Sequence, residues 1–93
     1  MKFAKKSLGQ NFLIDKNIIK KIINSVDIKN KNIIEIGPGK GALTEEILKN
    51  NPKSLILIEK DNSLCENLNL KFSNYNFLKV YNEDILNLNV EKI

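Results

Sequence analysis

A glycine-rich segment in the middle of the chain has residue types and spacing suited to ligand binding. Positions 37–41 read Gly-Pro-Gly-Lys-Gly, after an apolar run and before a helical pattern. At such a turn Gly37, Gly39 and Gly41 let the backbone bend sharply and let a ligand approach closely, because no Cβ stands in the way. A tight strand-to-helix turn without a ligand has the same pattern, so both interpretations stand at this point.

The segment differs from the loop that binds dinucleotides. The pattern G-x-G-x-x-G places its third glycine at position 42, where this chain has alanine. The spacing alone does not exclude NAD, since looser forms of the motif tolerate alanine. An acidic residue before the loop, Pro38 within it and a third glycine one position early argue against NAD.

Two carboxylates follow apolar segments and form candidate partners of the loop. Glu59 comes 20 positions after Gly39, and Asp84 follows the third apolar segment. The carboxyl ends of parallel strands form the edge where open α/β sheets bind ligands. There Glu59 can accept from two ribose hydroxyls, and Asp84 from an exocyclic amino group. Each acid, taken singly, could also be a solvated loop charge.

The elements that must position these residues follow one another in α/β order. The patterns predict an irregular basic segment over 1–14. They predict helices over 15–26 and 42–49 and a third helix after residue 61. Strands are predicted over 32–36, 55–58 and 77–81. Asp15 is the expected cap of the first helix, with an apolar stripe of Ile18, Ile19, Ile22, Ile23 and Val26. The third helix is expected to carry a capping box of Ser63 and Glu66 and an inner stripe of Leu64, Cys65, Leu68 and Phe72.

This order predicts parallel strands of a doubly wound α/β sheet. The continuous apolar run at 55–58 is typical of a strand covered on both faces. Three strands make an incomplete sheet, and nothing in the sequence supplies a neighbour for the other side of the first strand. We therefore expect the chain to be the N-terminal portion of a longer enzyme.

Composition excludes several classes of protein. The 93 residues are 42% apolar, without an apolar stretch long enough to span a membrane and without a signal peptide, so an intracellular location is expected. With a single cysteine and no histidine, the chain lacks the usual zinc ligands and Ser-His-Asp or Cys-His machinery. Residues 1–21 carry a net charge of +5, from six lysines and one aspartate. Such a charge is typical of a surface that binds a phosphate backbone, and it also occurs on a helix face that is simply solvated.

The motifs together resemble a known family of enzymes. Four segments are Lys-Ser-Leu-Gly-Gln-Asn-Phe-Leu at 6–13, Ile-Glu-Ile-Gly-Pro-Gly-Lys-Gly-Ala-Leu-Thr at 34–44, Ile-Glu-Lys-Asp at 58–61 and Glu-Asp-Ile-Leu at 83–86. Together they are similar to the N-terminal part of the ribosomal RNA adenine N6-dimethyltransferases. The resemblance implies part of a Rossmann-like class I methyltransferase sheet and the use of S-adenosylmethionine to methylate adenines in small-subunit ribosomal RNA. It also implies a cytoplasmic enzyme that needs no metal, with oligomerisation unlikely.

The resemblance also implies residue roles. Asn11 and the backbone of Leu13 hold the methionine end of the cofactor, and the glycines lie beneath it. Glu59 binds the ribose hydroxyls and Asp84 binds the adenine amino group. The family's catalytic Asn-Leu-Pro-Tyr segment does not occur in this sequence, so no catalytic residue is assigned and the chain alone is expected to be inactive. Two alternatives remain: a non-catalytic nucleic-acid-binding relative, and a methyltransferase acting on large-subunit RNA.

Overall fold

A computed structural model describes residues 16–87 as alternating helices and strands. The helices are α1 (Lys16–Asn24), α2 (Ala42–Lys49) and α3 (Asn62–Lys71), and the strands are β1 (Asn32–Ile36), β2 (Ser54–Glu59) and β3 (Leu78–Asn82). The bounds of β1 and α2 are those expected from the sequence. In the described part of the chain, no helix is long and apolar enough to cross a membrane.

The strands form one parallel sheet in the order β1-β2-β3. In register, Ile36 of β1 pairs with Ile58 of β2, which pairs with Tyr81 of β3. Because the strands run in the same direction, the glycine loop, Glu59 and the segment after Asn82 all follow at one edge of the sheet. The predicted α/β class and parallel pairing are confirmed.

The hydrophobic core lies on one face of this sheet. Leu55 and Leu57 point to that face and are fully buried, at 0% exposure. The core cluster comprises Ile19, Ile23, Ile28, Leu43, Ile47, Leu48, Leu55, Leu57, Leu68 and Phe72. Full burial of one such aliphatic side chain contributes about 1.5–3 kcal/mol, so this face supplies most of the driving force that holds the helices on the sheet.

The opposite face is only partly covered. Ile34 is 52% exposed and Ile36 is 37% exposed, and Ile56 is half-buried, although Ile58 is buried. The expectation that β2 is covered on both faces is therefore correct for one face only. The described helices contribute their buried aliphatic residues to the cluster around Leu55 and Leu57, which leaves Ile34, Ile36 and Ile56 on the other face partly open. No strand within residues 16–87 pairs with the free side of β1.

Several local expectations are corrected. Helix α1 ends at Asn24, and Val26, expected in its apolar stripe, is 47% exposed because Ser25 and Val26 close the helix with turn hydrogen bonds to Ile22 and Ile23. Strand β3 begins one residue later than predicted.

The expected capping box of α3 is also wrong. The cap is Asp61, whose Oδ1 accepts a hydrogen bond from Leu64 N at 3.0 Å. Ser63 lies inside the helix, since an aspartate two positions earlier already accepts from one of the free amides of the first turn. The inner stripe is confirmed at Cys65, Leu68 and Phe72, whereas Leu64 is half-buried.

Candidate nucleoside-binding site

The glycine loop leaves β1 through left-handed backbone conformations. Gly37, Gly39 and Gly41 have φ angles of 69°, 60° and 90°, which residues with a Cβ rarely adopt. Gly37 N donates to Ile58 O at 2.8 Å, and Gly41 N donates to Pro38 O at 2.9 Å. The loop is therefore tied to β2 where it starts and folded on itself where it ends.

The glycines differ in the space around them. A Cβ built on Gly37 or Gly39 meets no atom within 4 Å. A Cβ on Gly41 would lie 2.9 Å and 3.0 Å from ring carbons of Phe72 and 3.4 Å from Leu68. The first two positions therefore border open space at the sheet edge. At position 41 a side chain would collide with residues at the end of α3, so the close packing requires glycine there.

Glu59 lies beside the open part of the loop. It is the last residue of β2 and is 5% exposed, so it is not the solvated loop charge that the sequence left as an alternative. Its Oε1 accepts from Gly39 N at 3.1 Å, and its Oε2 accepts from Asp61 N at 3.0 Å. A carboxylate oxygen has two lone pairs, so each oxygen keeps capacity for a hydroxyl donor.

The main chain around Glu59 is held by its neighbours. Asn82 Nδ2 donates to the carbonyl oxygens of Glu59 and Lys60, both at 3.1 Å. Glu83 N and Cys65 Sγ also donate to Glu59 O, each at 3.1 Å. Burial raises the pKa of the Cys65 thiol, which keeps it protonated as a donor. These contacts fix the end of β2 against β3 and α3.

Asp84 follows β3 at the same edge. It lies two residues past Asn82 and is half-buried. Its Oδ1 accepts from Leu86 N at 3.0 Å, and its carbonyl accepts from Asn87 N at 2.9 Å, so a local turn fixes the segment. Glu83, the preceding residue, connects this turn to Glu59 through the contact given above.

A second carboxyl lies behind the loop. Glu35 is 5% exposed, and its Oε1 accepts from Thr44 Oγ1 at 2.6 Å across the loop. Glu35 Oε2 is buried without a hydrogen-bond partner among the described residues. Burial raises the pKa of Glu35 to about 7; the bond from Thr44 opposes the shift and the charge of Glu59 adds to it.

The structure brings together Gly37, Gly39, Glu59 and Asp84 at one edge, as the sequence predicted. Gly41 lies in the same loop but packs against α3. Asn11 and Leu13 lie outside the described residues. Thr44, Asn82 and Phe72 were given no role at the site from the sequence, although Phe72 was expected in the inner stripe of α3. For Thr44 and Asn82 the only signal was a position near the end of a predicted element, and nothing in the local sequence links Phe72 to Gly41.

A parallel sheet with a glycine loop after β1 and a buried carboxylate at the end of β2 defines a Rossmann-like domain of the methyltransferase type. The model of the ribosomal RNA adenine dimethylase family matches residues 1–93. The chain belongs to that family.

Curated relatives agree with this assignment. The chain is 50% identical over 90 residues to ribosomal RNA small subunit methyltransferase A of Pelagibacter ubique, a match covering 97% of this chain and 34% of the relative. It is also 50% identical over 90 residues to the protein of that name from Sulfurihydrogenibium, covering 96% of this chain and 35% of the relative. The chain thus spans about a third of the length of these relatives.

Solved structures show the same architecture. A dimethyladenosine transferase from Plasmodium falciparum matches with a TM-score of 0.72 and 31% identity, covering 81% of this chain and 28% of that one. The 23S rRNA methyltransferase ErmE matches with a TM-score of 0.70 and 28% identity, covering 80% of this chain and 30% of that one. A phosphoethanolamine N-methyltransferase from Haemonchus contortus shares the fold. It matches with a TM-score of 0.69 and 18% identity, covering 85% of this chain and 16% of that one.

Proposed function

We propose that the chain binds S-adenosylmethionine and forms the cofactor-binding part of an enzyme that dimethylates adenine N6 in small-subunit ribosomal RNA. The observation that carries this proposal is the open space at Gly37 and Gly39 beside the buried carboxylate of Glu59. A side chain at either glycine would fill the space that a nucleoside needs. The hydrogen-bonding groups also fit, because a carboxylate with free lone pairs can accept from the two ribose hydroxyls.

Each site residue has a distinct role in this proposal. Glu59 binds the ribose, and Asp84 accepts from the adenine amino group. The backbone at Gly37 and Gly39 lies under the cofactor, and Gly41 maintains the loop through its packing. Asn11 and the backbone of Leu13 hold the methionine end.

The bound cofactor supplies an electrophilic methyl group on a positively charged sulfur. The task of the protein is mainly to hold that methyl in line with the attacking adenine amine, which reduces the entropic part of the barrier. The target base must leave its stack to reach the pocket. This chain supplies the donor side of that alignment.

The relatives and the charge distribution support the proposed substrate. The curated relatives near half identity are named for the small ribosomal subunit, which favours this RNA over the 23S rRNA for which ErmE is named, at 28% identity. Lys20 and Lys21 are exposed on α1, within the basic segment 1–21. Ribosomal RNA as the partner and a cytoplasmic location are part of the proposal.

Methyl transfer tests the activity directly. The intact protein, as its gene encodes it, is incubated with labelled S-adenosylmethionine and unmethylated small subunits, with large subunits as a parallel substrate. We expect label in small-subunit RNA, recovered after digestion as N6,N6-dimethyladenosine. Label only in the large subunit would support the alternative enzyme. RNA binding without any transfer by protein that binds the cofactor would support the non-catalytic alternative.

RNA affinity tests the role of the basic segment. If Lys5 and Lys6 contact phosphates, replacing both with glutamine lowers RNA affinity and flattens its salt dependence by about one unit of slope per lost contact. The matched control replaces Lys49 and Lys53 with glutamine. Both lysines are exposed and lie outside the basic segment 1–21. A salt slope equal to that of the wild type would assign Lys5 and Lys6 to a solvated surface.

A further inference from the structure

Lys71, the last residue of α3, contacts the glycine loop. Its Nζ donates to the carbonyl oxygen of Lys40 at 3.1 Å and pairs with Glu45 Oε2 of α2 at 2.8 Å. The same Nζ lies 5.5 Å from the ring centroid of Phe72. One ammonium group therefore joins the end of α3, the end of the loop and the first turn of α2.

The loop is thus held at three successive points, two of them by β2 and one by the end of α3. Its start is fixed by the carbonyl of Ile58, and its middle by the carboxylate of Glu59. Its end is fixed by α3, through Lys71 on the carbonyl of Lys40 and through Phe72 beneath Gly41. The first two anchors belong to β2, and the α3 contacts help to hold the loop where it enters α2.

We propose that Lys71 is a positioning residue for the nucleoside-binding loop, acting through Lys40 O and Glu45. The inference rests on the proposed function, because it assigns the loop a ligand. Lys71 and Glu45 side chains are 44% and 49% exposed, so their ion pair adds little to global stability. A ligand that needs open space at Gly39 is more sensitive, because small displacements of a preorganised loop weaken binding.

An alternative role for Lys71 is purely structural. A lysine in the last turn of a helix interacts favourably with the helix dipole and with free carbonyls. That role would change the melting temperature and leave ligand affinity unchanged. The chain offers a matched control in Lys49, also the last residue of its helix, which pairs with Glu46 at 3.1 Å within α2.

The test is calorimetric titration of S-adenosylhomocysteine into the intact protein. Lys71→Met should raise Kd about three- to tenfold, the size expected for losing a charge-assisted contact that positions a site. Lys71→Arg should recover most of the affinity, because it keeps the charge and the donors. Lys49→Met should leave Kd within about twofold while changing the melting temperature as much as Lys71→Met. Glu45→Gln, which spares the carbonyl contact, should have a smaller effect than Lys71→Met.

The outcomes separate this inference from the proposed function. A wild-type protein that folds but does not bind the probe would overturn both. If the wild type binds and Lys71→Met has the same Kd as Lys49→Met, the role of Lys71 is overturned and the proposed function stands. The same conclusion applies if Lys71→Arg binds S-adenosylhomocysteine as weakly as Lys71→Met does. Should Lys71→Met fail to fold, unchanged affinity in Glu45→Gln overturns the proposal, and a weakened affinity supports it.

Discussion

The two halves of the glycine loop use the same residue type for different physical reasons. At Gly37 and Gly39 an added Cβ meets no atom within 4 Å, whereas at Gly41 it would come within 2.9 Å of Phe72. All three residues have positive φ angles, so backbone conformation alone does not separate them. Their surroundings do: the first half of the loop faces a candidate ligand space, whereas Gly41 in the second half packs against Phe72 and Leu68 of the core.

A single motif thus combines binding and packing requirements within five residues. Substitutions in the first half should act on ligand affinity, and those in the second half on stability. Among the side chains that contact the loop, Glu35 should act on stability and Glu59 on ligand affinity.

Substitution at Gly41 should have the largest effect on stability. Gly41→Val adds backbone strain at φ 90° and steric overlap with the ring of Phe72, and each costs about 1–3 kcal/mol, so the free energy of unfolding should fall by about 2–6 kcal/mol. Denaturant titration measures this loss. In the Gly41→Val background, Phe72→Leu should be less damaging than in the wild type, because it removes the overlap. Strictly additive effects would show that the ring is not the obstacle.

Glu35 should make stability depend on pH. Its folded pKa of about 7 exceeds the reference value of 4.5, so the folded state holds a proton that the unfolded state releases. Stability should therefore fall as pH rises from about 4.5 to about 7, by about 3 kcal/mol for this group. Glu35→Gln should remove this decrease, whereas exposed Glu45→Gln should not. If the free energy of unfolding changes with pH in the same way for the wild type and Glu35→Gln, the raised pKa of Glu35 is contradicted.

Glu59 should affect binding most directly among the polar residues. Glu59→Ala should weaken S-adenosylmethionine binding by about 1–3 kcal/mol, since the ribose hydroxyls and the amides of Gly39 and Asp61 lose their acceptor. Calorimetric titration of the intact protein measures the change. Glu66→Ala is the matched control, because Glu66 is exposed on α3. Unchanged affinity in folded Glu59→Ala would remove Glu59 from the site.

Much of this arrangement was predictable because it depends on local pattern. Strand β1 and helix α2 were predicted with their observed bounds, and the glycines and Glu59 were placed at the correct edge, since apolar runs and turn residues act over a few positions. The α3 cap was misassigned because Asp61 and Ser63 are both good caps, and only the actual backbone decides between them.

Other features depend on contacts between distant segments. Gly41 and Phe72 are 31 positions apart, and nothing in either local sequence indicates that they touch. The half-open second face of the sheet likewise follows from where the helices pack, which the continuous apolar run of β2 could not show. The bond from Asn82 to the carbonyl of Glu59 joins two strand ends, and sequence spacing does not specify such a contact.

Titration of S-adenosylmethionine into wild type and Gly39→Val distinguishes a ligand space at the first half of the loop from a purely structural turn. In our account the first half of the loop borders a ligand and the second half borders the core. Gly39→Val should abolish binding while costing only about 1–3 kcal/mol of stability, so the variant keeps a cooperative melt. Wild-type affinity in Gly39→Val would contradict this claim and make the whole loop a structural turn.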